Sequence, residues 1–292
     1  MECGVVEKLF GGINLTWRRL IVSAVIIGIY CALMAIIPFF EYTSFHTIVV
    51  TFEVWIFFGI IIIMNSKSNM DAALKCFVFF LISQPIVYLL QVPFSYQGWN
   101  LFRYYKYWFI WTVLCLPMGY IGYYMKKDKW WGYFILFPMI LLVAEEYGRY
   151  LSCFMFSYPK YLLICLFCIV TMIIYPLYIF HNQKIRMFGV VINGILIVIM
   201  TVVCIINPPV YSTDVLVSGN KYQFDDTYHV YLKDKQYGNL GIKYLDSIES
   251  YIVHAEFKKE GKTEFVLESP DGNKIIFKIH IKRDSYTIKK IS

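Results

Sequence analysis

Residues 47–94 read TIVVTFEVWIFFGIIIIMNSKSNMDAALKCFVFFLISQPIVYLLQVPF. Two long apolar runs, about residues 46–64 and 74–94, are joined by a polar turn at 65–73 that carries Lys67 and Asp71. A helix needs about 20 apolar residues to cross the hydrocarbon core, so the pair predicts two antiparallel membrane spans. Into their apolar surfaces are set one carboxylate, Glu53, and two amides, Gln84 and Gln91. At ~1.5 Å rise per residue, Glu53 lies ~10 Å below the outer end of its helix, Gln84 ~15 Å and Gln91 ~5 Å. Gln84, Tyr88 and Gln91 recur at i, i+4, i+7 and share one helix face. A charge in the bilayer core costs roughly 3 kcal/mol on insertion scales and marks a functional position. Glu53, Gln84, Tyr88 and Gln91 are therefore the expected ligand-binding residues. The structural alternative is a protonated Glu53 that hydrogen-bonds an amide and only packs helices.

Composition extends the membrane reading to most of the chain. Of 292 residues, 59% are hydrophobic and 16% charged, against roughly 25% charged in soluble domains. The formal charge of +7 is unevenly placed: 14 Lys and Arg stand against 8 Asp and Glu before Pro208, and 13 against 12 from there on. The excess belongs to loop positioning in the membrane part, and no basic patch points to nucleic acid as a partner. Seven of the eight cysteines fall in or beside apolar runs or in the N-terminal tail, and none lies in the last 85 residues. A disulfide framework is not expected. Cys165 and Cys168 have CxxC spacing but sit on an apolar helix without a second pair, as buried thiols.

Residues 1–19 form a cytoplasmic N-terminal segment. Residues 20–207 carry seven expected spans, at 20–40, 46–64, 74–94, 107–124, 130–144, 161–180 and 187–206. The first span is an uncleaved anchor, too long for a signal-peptide core and without a cleavage site. Ala24, Gly28 and Ala32 recur every four residues on it, a small-residue stripe for helix packing within the chain or against a partner subunit. Pro85 should bend the third span and free a carbonyl. Trp108, Trp111, Trp130 and Trp131 mark span ends as an aromatic belt does. Placing the N-terminus inside puts Lys8, Arg18, Arg19, Lys67, Lys75, Lys126, Lys127, Lys129, Lys184 and Arg186 on inner segments. Arg103, Lys106, Arg149 and Lys160 are then outside, which satisfies the positive-inside rule. An odd number of spans leaves the C-terminal region extracytoplasmic, with the bilayer as the first partner.

From residue 208 the pattern changes. Pro208-Pro209 should break the seventh helix, and short stretches of period-two alternation follow. Ile275, Phe277, Ile279 and Ile281 alternate with Ile276, Lys278, His280 and Lys282. Strands are expected at 211–217, 228–233, 241–245, 250–257, 263–269 and 274–283, with a hairpin turn at Pro270-Asp271-Gly272-Asn273. Residues 208–292 should thus form a small antiparallel β-sandwich. The expected fold is a membrane α-helical bundle of about seven transmembrane helices followed by this all-β domain. Abundant Tyr, Phe, Ile and Lys fit an AT-rich bacterial genome.

Three local resemblances bear on function. The run from Gly261 to Lys274 resembles the closing hairpin of bacterial immunoglobulin-like domains, which implies a fold and no activity. Glu145-Glu146-Tyr147-Gly148-Arg149 resembles the Glu-Glu-x-x-x-Arg motif of intramembrane CAAX-type proteases. Its spacing is one residue short, and the histidine that family needs on later helices is represented only by His181, at the opposite membrane face. The Trp17-Arg18-Arg19 run and the Ala24, Gly28, Ala32 stripe resemble the opening helix of substrate-binding subunits of energy-coupling-factor vitamin transporters. That family has six spans rather than seven.

Arg103, Lys106, Glu145, Glu146 and Arg149 are expected to line an outer vestibule, with Glu145 pairing Arg149 at i, i+4. No nucleophile triad, phosphate loop or metal-ligand cluster is visible, and no cofactor is expected. An enzyme is the less favoured class. The expected function is a plasma-membrane platform that presents its β-domain to a membrane or envelope protein. The alternative is a substrate-binding transporter subunit with a pocket around Glu53, Gln84 and Gln91.

Overall fold

Ser68 opens the central helix of the N-terminal unit. Its hydroxyl accepts from Asp71 N at 3.1 Å, and the helix then runs unbroken through Pro85. The computed structural model describes residues 4–41, 43–47, 51–95, 98–156, 159–206, 211–213, 216–245, 249–282 and 285–291. Pro208-Pro209 lies outside them. The chain divides into two compact units, Met1–Val203 and Cys204–Ser292.

Among the described residues, helices of the N-terminal part are α1 (Val5–Leu9), α2 (Trp17–Ile36), α3 (Ser44–Thr47), α4 (Phe52–Met64), α5 (Asn69–Gln91), α6 (Phe102–Gly122), α7 (Trp130–Phe156), α8 (Leu162–Ile179) and α9 (Gln183–Ile206). Four of them, α2, α5, α8 and α9, are long and apolar enough to cross a membrane. Helix α5 packs between α2 and α6, α7 packs on α8, and α4 meets both α5 and α7. Gly28 sets the α2–α5 approach, because a Cβ there would lie 2.9 Å from Ser83 O. The core is rich in Phe, Ile, Met and Tyr, while α9 presents Val191, Ile195, Val198 and Ile199 outward.

Three expectations about this unit change. The second span is not one helix: α3 ends at Thr47, and Thr51 is in an extended conformation before α4 begins. Its 13 helical residues span ~20 Å, less than the ~30 Å hydrocarbon core. The fifth helix does not stop at Ala144 but continues through residues 145–149 to Phe156, since nothing in that stretch breaks a helix. Residues 102–106, expected in a loop, already form the first turn of α6.

The helix ends around residues 65–68, 126–128 and 181–182 are tied by polar side chains. Asn65 Nδ2 donates to Leu9 O at 2.6 Å, and Asn65 Oδ1 accepts from Ile13 N at 2.7 Å. Lys126 Nζ donates to Ser66 O at 2.9 Å. Asp128, in the left-handed region, accepts from the backbone N–H of His181 and of Asn182.

Beyond the end of α9, the described residues of the C-terminal unit form strands, the one-turn helix α10 (Gly219–Tyr222) and a 3-10 turn at Lys235–Tyr237. Its strands are β1 (Tyr211–Thr213), β2 (His229–Leu232), β3 (Gly238–Leu245), β4 (Ser250–Phe257), β5 (Gly261–Glu268), β6 (Lys274–Ile281) and β7 (Tyr286–Lys290). They form two antiparallel sheets, ordered β1-β4-β3 and β2-β5-β6-β7. The immunoglobulin constant-type order, 1-2-5-4 with 3-6-7, is different. One core draws Val253, Ala255 and Phe257 from the first sheet and Phe265, Leu267, Phe277 and Ile279 from the second. Phe265 and Phe277 are opposed in register and stack at 4.6 Å. Strand β7 has no counterpart in the sequence-based expectation, because Tyr-Thr-Ile-Lys-Lys offers a single strongly apolar position. The turn after β5 forms as expected: Gly272, at φ +81°, donates to Ser269 O. Gly238 is required, since a Cβ there would lie 2.0 Å from Glu256 O.

Candidate functional site

Glu53 lies in the first turn of α4 and is fully buried. Its Oε1 is 2.5 Å from Thr51 Oγ1, which is also 2.9 Å from Thr47 O. A threonine hydroxyl has one proton to donate, and a carbonyl oxygen can only accept. Both contacts are satisfied when Thr51 donates to Thr47 and Glu53 carries a proton and donates to Thr51. The second oxygen, Oε2, has no hydrogen-bond partner among the described residues.

The charged groups that act on Glu53 come from α7. Glu146 is buried and paired with Arg149, one turn on. Both interact electrostatically with Glu53. The Arg149 guanidinium lies 5.2 Å from the Tyr150 ring centroid. From α8, Cys168 and Tyr175 fall within the same electrostatic neighbourhood. Glu53 and the Glu146–Arg149 pair thus stand on the neighbouring helices α4 and α7, with the arginine half-exposed at 57%.

Gln84, Tyr88 and Gln91 do not complete this cluster. Gln84 is fully buried, and neither its Oε1 nor its Nε2 is hydrogen-bonded among the described residues, so no bond joins it to Glu53. Tyr88 turns toward α6 and meets the rings of Phe102 and Tyr105 at 6.1 and 5.9 Å. Gln91 donates to Val87 O of its own helix at 3.0 Å. The physical reason is local packing: Tyr88 is drawn into the α5–α6 contact and Gln91 onto its own helix, whereas Glu53 is held by Thr51 at the start of α4.

The outer-vestibule residues also separate. Glu146, not Glu145, pairs with Arg149 at i, i+3, and Glu145 is exposed. Arg103 and Lys106 are exposed on the first turn of α6, with Lys106 Nζ 5.0 Å from the Tyr107 ring centroid. Ala24, Gly28 and Ala32 are all buried on α2.

A cavity of about 80 Å³ opens between α4, α5, α6 and α7, lined by Trp55, Gly59, Phe80, Trp108, Trp111 and Cys115 among others. None of the expected ligand-binding or vestibule residues lines it, whereas Trp108 and Trp111, expected as belt residues, do. Its polar side chain, Thr112, donates to Trp108 O at 2.9 Å.

Three further residues carry polar structure that the sequence reading did not single out as sites. Thr51 completes the Glu53 contact. Lys75 is buried and held by Asp71 at 2.7 Å. Asn193, fully buried, accepts from Tyr133 OH at 2.8 Å and donates to Met172 O at 2.6 Å, linking α7, α8 and α9. A lone asparagine in an apolar helix was the available signal. Among the described residues no group of His, Cys, Asp or Glu could hold a metal ion, and the seven described cysteines are free. The chain matches no family model, and no curated protein or solved structure is significantly similar to it.

Proposed function

We propose that this chain is a multi-pass plasma-membrane protein, threaded seven times with its N-terminus in the cytoplasm. Its β-unit would stand on the extracytoplasmic side as a platform for an envelope or membrane partner. The observation that carries this reading is the separate β-unit with its own aromatic core, on a chain with four membrane-capable helices. A folded module with its own core is well suited to present a surface. The test is co-purification from native membranes of wild-type protein and of Phe277→Asp, which places a charge in the centre of the β core. The platform reading expects the partner to be lost while the helical unit still inserts. Full retention of the partner would sink it.

One observation favours a second reading, a small-molecule transport subunit. Glu53 lies in the first turn of a short helix, after the extended Thr51, with a buried carboxyl oxygen that has no hydrogen-bond partner among the described residues, and buried polar groups at helix ends build transporter sites. The site is then Glu53, Thr51, Glu146 and Arg149 rather than Glu53 with the α5 amides. Glu53→Gln should change ligand uptake without loss of folded protein. Unchanged uptake in Glu53→Gln and in Glu146→Gln would remove the site.

A further inference from the structure

Strand alternation in the sheet β2-β5-β6-β7 sends Phe265, Phe277, Ile279 and Ile281 inward, and Lys262, Glu264, Lys278 and His280 outward. Register then fixes the outer neighbours. Lys278 lies opposite Glu264 on one side and Lys289 on the other, while His280 lies opposite Lys262 and Thr287. Glu264 is already engaged by Lys233 at 3.1 Å. Lys278 and Lys289 are therefore like charges directly opposed, an arrangement that costs stability. Lys262, Lys278 and Lys289 are exposed, and none has an ion pair among the described residues. The far end of the same sheet is balanced: Lys274 is paired with Glu268 at 3.2 Å, which raises the Lys274 pKa, and Tyr231 OH donates to Glu268 at 3.2 Å. The imbalance is local, and nothing in the core calls for lysine at these outward positions.

The three lysines, His280 and Thr287 line a groove of about 390 Å³, together with Glu264, whose carboxylate is held by Lys233. We propose that this groove binds a linear polyanion, a chain of repeated phosphate groups, and that such a chain is what the β-unit meets. The proposal rests on the platform reading and gives that platform a partner chemistry. Three ammonium groups spread over three adjacent strands at ~4.8 Å spacing reach ~10 Å, more than one phosphate group covers. A concave groove admits a chain, whereas a flat headgroup plane touches only its rim. His280 is the one ring in its described lining, and no Phe, Tyr or Trp joins it, so the broad stacking surface that single-stranded nucleic acids use is missing.

The test uses the full-length protein in neutral detergent with inorganic polyphosphate as the probe, titrated at low and at high ionic strength. Wild-type protein should bind, more weakly at high salt. Lys278→Glu/Lys289→Glu should lose at least tenfold in affinity, and Lys278→Gln/Lys289→Gln should lose less in the same direction. Lys258→Glu/Lys259→Glu makes the same charge change at exposed positions of the β4–β5 turn and should bind as wild type. An equal loss in both Glu doubles would reduce the effect to net charge and overturn the groove. So would absence of polyphosphate binding, or capture of phosphatidylglycerol vesicles alone, which would make the face a bilayer contact. A protein partner still retained by Lys278→Glu/Lys289→Glu would leave the platform standing whichever way the polyphosphate titration goes, so the two readings fail separately.

Discussion

Gln84 in the helical unit is fully buried with both amide atoms unpaired among the described residues. Lys233 and Lys274 in the β-unit sit outside, each on a glutamate. The contrast extends to whole units. Glu53 Oε2, Trp55 Nε1 and Ser83 Oγ are also buried without a partner in the helical unit, and the described β-unit has no such atom. A buried polar atom without a partner costs about 1–3 kcal/mol. The helical unit thus keeps costly polar groups inside an apolar bundle, whereas the buried hydroxyls of the described β-unit, Ser250 and Ser269, are hydrogen-bonded and its charges lie outside. The difference separates two kinds of candidate site: one built round a buried carboxyl group in the helical unit, the other external and cationic in the β-unit.

The largest effects should come from each unit's core. Phe277→Ala removes one of two stacked rings and should destabilise the β-unit by about 3–5 kcal/mol. All seven tryptophans lie before residue 132, so tryptophan emission should stay unchanged while protease cuts the β-unit faster. A change in emission would join the two units that the comparison separates. Asp71→Asn leaves Lys75, only 3% exposed, as a buried unpaired cation, at a cost of about 3–5 kcal/mol. Asp71→Leu with Lys75→Met should recover most of it in thermal unfolding, because both charges are then gone.

Smaller effects sharpen the comparison. Thr51→Val takes away the hydroxyl that Glu53 bonds and should cost about 1–3 kcal/mol, more than Glu53→Gln, which keeps a donor at that place. If Glu53→Gln proves the more damaging, Glu53 is ionised and the proton accounting at Thr51 is wrong. Asn193→Leu should cost only ~0.6–1.7 kcal/mol, the range for hydrogen bonds between membrane helices. The smallest effect is at the β-unit surface. Thr227 donates to Asp225 from its hydroxyl and its backbone N–H, which holds the Asp225 carboxyl below the usual carboxylate range. That contribution is complete above the unfolded pKa and disappears as pH falls through the lower folded one. Thr227→Val should move the Asp225 titration upward, as read by NMR.

The β-unit was the more legible region because its signal is local. Period-two alternation in residues 274–281 fixes which side chains face inward, and Asp271-Gly272 fixes the turn, so β5 and β6 emerge close to their expected bounds. Strand β7 was missed because its pairing with β6 is set by register, not by its own apolar pattern. In the helical unit, apolar length located the helices but not their rotation. Rise per residue puts Glu53 and Gln84 at expected depths of ~10 and ~15 Å, yet which neighbour each one faces depends on packing between helices far apart in sequence. The interruption at Thr51 had no proline or glycine to announce it. Glu146 and Arg149 were visible as charged residues, but their meeting with Glu53 follows from the α4–α7 contact, which no spacing in the sequence encodes.

The most direct test of the platform is partner retention from native membranes by Phe277→Asp, with insertion of the helical unit checked by resistance to alkaline extraction. The account predicts a protein that remains in the membrane and loses its partner. A partner retained in full beside a collapsed β-unit would contradict it and place the function in the helices around Glu53.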